Sequence, residues 1–63
     1  MVIEAKGDCL AAVQGEVGYQ SWYGVNKGDR FPVVEKARGF YLALTASRTC
    51  IKMKTSMSKV VRV

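Results

Sequence analysis

Phe40-Tyr41-Leu42-Ala43-Leu44-Thr45, and then Arg48-Thr49-Cys50-Ile51-Lys52-Met53-Lys54, decide the fold class of this chain. In the first segment Phe40, Leu42 and Leu44 fall on one side of a period of two, with Tyr41, Ala43 and Thr45 on the other. In the second, Thr49, Ile51 and Met53 oppose Arg48, Cys50, Lys52 and Lys54. Side chains alternate across a strand, whereas a helix face repeats every three to four residues. Ala46-Ser47 is a short turn between the two segments. Adjacent β-strands are therefore predicted.

Outward from this pair, Arg30–Lys36 reads as a further strand carrying Phe31, Val33 and Val34. Pro32 has no N–H to give a ladder, which places it at a strand start or an edge. Lys36-Ala37-Arg38-Gly39 reads as a hairpin turn, with Gly39 supplying a positive φ. After Thr55-Ser56-Met57-Ser58 comes a last β-branched strand, Lys59–Val63. Near the N-terminus, Val2–Ala5 and Cys9–Val13 flank the turn-forming Lys6-Gly7-Asp8. Residues 14–29 hold Gly15, Gly18, Gly24 and Gly28 and are read as a long loop. Its aromatic anchors are Tyr19, Trp22 and Tyr23, and Trp22 is expected to fold back onto the core. The whole predicts an all-β protein, a single domain over residues 1–63, forming a small five- to six-stranded barrel, closed or nearly so.

With 63 residues and 49% hydrophobic content the chain can build a core, but a small one. A domain of this size buries about 60% of its unfolded surface, which leaves independent folding marginal and homo-oligomerisation an open expectation. Cys9 and Cys50 stand far apart, without a Cys-x-x-Cys spacing, and are expected to remain separate thiols. No histidine is present, so two thiolates alone cannot complete a zinc site, and no metal or other cofactor is expected. A carboxylate at Glu4 interrupts any apolar leader, and no apolar run reaches the ~20 residues a membrane helix needs. A cytoplasmic protein with no membrane partner is the expectation.

Charge is the strongest functional signal. All five acids (Glu4, Asp8, Glu16, Asp29 and Glu35) lie in residues 1–35, against three bases there. Residues 36–63 carry seven bases (Lys36, Arg38, Arg48, Lys52, Lys54, Lys59 and Arg62) and no acid. A one-sided field of this kind attracts polyanions. Arg48, Lys52 and Lys54 fall on one pleated face, Lys52 and Lys54 about 7 Å apart on a strand rising ~3.4 Å per residue. Lys59 and Arg62 could extend that patch, Lys36 and Arg38 sit at a hairpin tip, and Tyr41 is expected on a neighbouring strand where it could stack a base. The competing explanation is a solvated, aggregation-resistant sheet face, although such a face ordinarily mixes signs. Asp29 reads as a local backbone hydrogen-bonding residue.

Lys27-Gly28-Asp29-Arg30-Phe31, then Val33-Val34-Glu35 and Gly39-Phe40-Tyr41, resembles a Src-homology-3-like barrel over residues 25–63. In that family a Lys-Gly-Asp turn feeds a hydrophobic strand, a hairpin follows, and a short turn precedes the last strand. The peptide-binding branch is similar in its acidic loop and groove tryptophan, but this chain offers only Glu16 in the loop and Phe40 at the aromatic position. What the resemblance implies is the ribosomal and transcription-factor style of small barrel, which binds nucleic acid through basic strands and loops.

Catalysis finds little basis: no histidine activates either thiol, the acids fall in separate segments, and a barrel this small is expected to lack a pocket of several hundred Å³. The expectation is a non-catalytic, basic nucleic-acid-binding module, DNA or RNA, contacting phosphates. Four or five contacts would give a log–log salt slope of about −4 on duplex DNA. The alternative is a protein-interaction module, such as a small regulatory protein of a phage or mobile element. It would dock on an acidic protein partner through Tyr19, Trp22 and Tyr23 or through the same cations.

Overall fold

The computed structural model describes residues 1–15 and 21–62. Seven strands form one antiparallel sheet: β1 (Val2–Ala5), β2 (Cys9–Val13), β3 (Trp22–Val25), β4 (Arg30–Ala37), β5 (Phe40–Leu44), β6 (Cys50–Lys54) and β7 (Ser58–Val61). A 3₁₀ turn, Thr55–Met57, links β6 to β7. The order across the sheet is β3-β2-β6-β5-β4-β1-β7. The all-β class holds, but the five- to six-stranded closed barrel gives way to seven strands in a sheet that does not close. The seventh strand is β3, which occupies part of the segment expected to be loop. Gly24 does not prevent pairing there, because Trp22 and Tyr23 ladder against Ala12 and Ala11 of β2.

β4 joins two halves of the sheet. Its first residues pair with β1, through Ile3↔Phe31 and Val2↔Pro32, and its later ones with β5, through Val33↔Ala43 to Ala37↔Phe40. Within the β4–β5 ladder a bulge at Val34 shifts the register between Val33 and Glu35. Such a bulge bends its strand and sharpens the twist. Pro32 is thus inside an internal strand rather than at an edge. The ladder to β5 begins only at Val33, so the missing N–H of Pro32 breaks no β4–β5 bond. Val33 donates its own N–H the other way, to Met1 O at 2.8 Å.

The bend lets both halves cover one core. Ile3, Ala5 and Phe31 meet Ala11, Val25, Tyr41, Ala43, Ile51 and Met53, all buried. Tyr23 closes one side, its ring edge-on to Phe31 with centroids 6.3 Å apart. The inward set on β5 is therefore Tyr41 and Ala43, with Phe40 and Leu42 outside. Register gives the reason. Tyr41 pairs with Met53 and Ala43 with Ile51, while Phe40 and Leu42 pair with Lys54 and Lys52. Paired residues share a face, and the lysines must face water.

Three turns behave as their chemistry dictates. Gly28 at φ 92° and Gly39 at φ 83° take left-handed positions that a side chain would strain. Asp29 is a local cap: its carboxylate accepts from the Asn26 N–H at 2.9 Å, and its own N–H donates to Asn26 O at 3.0 Å. Asp8 does similar work across the sheet, accepting the Lys27 N–H at 2.7 Å. Arg30 Nε donates to Glu4 at 2.9 Å in the one ion pair among the described residues. Three acids are thereby occupied within the first half of the chain, and among the described residues none forms an ion pair with a base from residues 36–63.

Candidate functional site

β2 and β6 pair only at Ala12↔Lys52 and Val13↔Ile51, and then part. Ladder geometry shows what this leaves. Gln14 N–H donates to Cys50 O and Val13 N–H to Ser21 O, so backbone groups of β2 alternate between its two neighbours. By that alternation Leu10 turns its N–H and C=O toward β6, where the matching residue would be Lys54, and no ladder forms between them. A groove of about 540 Å³ opens at this divergence. The expectation that so small a protein lacks room for one is corrected: the space opens between the splayed strands, from exposed Leu10 and Trp22 down to the buried Ala11 and Met53.

Leu10, Ala12, Trp22, Phe40 and Met57 give the groove an apolar lining, and Arg38, Lys52 and Lys54 line it as cations. No carboxylate is among its lining residues. Trp22 is 59% exposed and Leu10 67%. Trp22 therefore does not fold back onto the core; its neighbour Tyr23 does that, because alternation along β3 sends the two rings to opposite faces. Lys52 Nζ lies 5.1 Å from the centroid of the Phe40 ring, a cation–π contact.

The expected cationic patch divides. Arg38, in the two-residue turn before β5, joins Lys52 and Lys54 on the groove. Lys36 is exposed but pairs with Tyr41, which puts it on the opposite sheet face from the two lysines. Lys59 pairs with Glu4 on the far side of β4, and Arg62 follows the end of β7. Arg48 leaves the stripe altogether, since β6 begins at Cys50. It sits in the β5–β6 turn at φ 65°, its N–H bonded to Thr45 O at 2.9 Å. Tyr41 is corrected as a stacking residue: at 8% exposure it belongs to the core. The aromatics that do reach the basic groove are Phe40 and Trp22. Of the alternative protein-docking set, Tyr23 is half-buried against Phe31, and Tyr19 lies outside the described residues.

Replacing Arg48 tests its exclusion from the groove. A non-glycine residue in the left-handed region costs about 1–2 kcal/mol, and glycine returns about 0.5–1 of that in chain entropy. Arg48→Gly should raise stability by about 0.5 kcal/mol, a melting-temperature gain of roughly 2–4 °C. Ligand affinity at the groove should be unchanged in the same preparation. A loss of affinity would return Arg48 to the site.

Cys9 and Cys50 are both free and half-buried. Among the described residues no group of three His, Cys, Asp or Glu side chains could hold a metal, and no helix is long and apolar enough to cross a membrane. No family model, curated protein or solved structure matches this chain.

Proposed function

We propose that this protein binds nucleic acid through the β2–β6 groove, without catalysis, holding phosphates with Arg38, Lys52 and Lys54. The observation that carries the reading is the composition of one site: three cations and two aromatic rings, Trp22 exposed and Phe40 half-buried, around an apolar floor, with no acid in the lining. Cations next to aromatic faces on a sheet are the arrangement that single-strand binders use. The open, bent sheet with a 3₁₀ turn before its last strand supports placing the fold near Src-homology-3-like barrels.

Three phosphate contacts make the salt dependence quantitative. The log–log slope of affinity against salt should be about −2 on single strands and about −3 on duplex. Fluorescence anisotropy with labelled oligonucleotides between low and moderate salt measures it. A flat dependence would remove the reading. A slope of −4 or steeper would bring in cations beyond the groove.

The exposure of Leu10 and Trp22 favours a second reading, an acidic protein partner seated on the same face. That reading predicts retention of a partner that survives nuclease treatment and is weakened by Trp22→Ala.

A further inference from the structure

We infer that the groove selects single strands, by stacking two unpaired bases of one strand on Trp22 and Phe40. The inference rests on the nucleic-acid reading and adds to it the form of the ligand. Trp22 is on β3 and Phe40 on β5, with β2 and β6 between them. Three inter-strand spacings of about 4.8 Å, with Phe40 two residues (~7 Å) further along the ladder than Trp22, put the two backbone positions at least roughly 16 Å apart. Stacked nucleotides rise ~3.4 Å per strand, and an unstacked strand stretches to roughly twice that, so two extended steps together with the reach of the two side chains span the gap. The rings then take bases n and n+2, and the intervening base falls over the divergence of β2 and β6. There the unladdered N–H and C=O of Leu10 face it with a donor and an acceptor.

Duplex cannot be held in this way, because its base faces are already stacked and only edges are presented in the grooves. Phe40 also carries a built-in gate. In the free protein Lys52 covers the ring. A phosphate draws the ammonium away and bares the face for a base, so charge neutralisation and stacking occur together.

The test uses the full chain, with short single strands of DNA and RNA and the corresponding duplexes. Trp22 is the sole tryptophan, so its emission reports contact at the site directly. Single strands should quench it and bind at least about tenfold tighter than duplex, and a trinucleotide should compete where a dinucleotide does not. Trp22→Ala and Phe40→Ala should each weaken single-strand binding by roughly 5- to 150-fold, lower duplex binding by far less, and keep the circular dichroism of the parent. Trp22→Tyr should restore most of the loss. Equal binding of single strand and duplex, indifferent to both alanine variants, would overturn this inference while leaving the phosphate-binding reading in place. Absence of binding to every nucleic acid would overturn both.

Discussion

Ile51→Ala should cost about 2–5 kcal/mol and leave the protein largely unfolded at physiological temperature. Ile51 is 0% exposed, sits on β6 within the sheet, and pairs with Ala43 on one side and Val13 on the other. Those neighbours are small or only half-buried, so little can collapse into the space a lost side chain leaves. A chain of this length holds roughly 3–9 kcal/mol of total stability, which the substitution removes in large part. Thermal and denaturant unfolding followed by circular dichroism measure the loss. At 4–8 °C per kcal/mol, even the lower limit lowers the melting temperature by about 8 °C. Leu10→Ala is the informative partner experiment. Leucine 10 is equally apolar in sequence but points into the outer groove, so its removal should stay within about 0.5 kcal/mol. If Ile51→Ala were neutral and Leu10→Ala severe, the inner and outer faces of the sheet would have to be exchanged.

That face assignment marks the limit of what the residues reveal on their own. The strands from Arg30 to Lys54 are legible because a two-residue period runs through them, punctuated by Gly28 and Gly39 at positions that need φ > 0. Which side of β5 is inside is not legible within β5, because Phe40, Leu42 and Leu44 are apolar opposite an equally apolar Tyr41 and Ala43. Only the register against β6 resolves it, since Lys52 and Lys54 cannot be buried unpaired. Tyr41 and Phe40 exchange roles for this reason alone. The strand at Trp22–Val25 is hidden by glycine, whose unfavourable local propensity is overridden by pairing with β2. The groove has a still weaker signature. It arises where a ladder stops, and nothing in Cys9–Val13 or Cys50–Lys54 announces that two antiparallel strands will part after two pairs. The cations were countable from the start; their division among four regions of the surface depends on tertiary register.

Reversing two of those cations should produce the largest functional effect. Lys52→Glu combined with Lys54→Glu removes two charge-assisted phosphate contacts, each worth about 1.5–3 kcal/mol, and substitutes repulsion. Nucleic-acid affinity should fall at least about 100-fold, since 1.4 kcal/mol is a factor of ten. Both side chains are exposed on the outer face of β6, so the fold should survive. The reversal also lowers net charge from +5 to +1, because each substitution removes one positive and adds one negative charge. Loss of affinity alone would therefore not separate a local site from a general attraction between a basic protein and a polyanion. Lys59→Glu with Arg62→Glu supplies the comparison: it makes the same change in net charge on and just beyond β7, away from the groove lining. A local groove predicts a severe loss for the first pair and a loss below about tenfold for the second, measured side by side at one salt concentration. Equal losses would mean that long-range charge carries the binding and that the groove is not where the ligand sits.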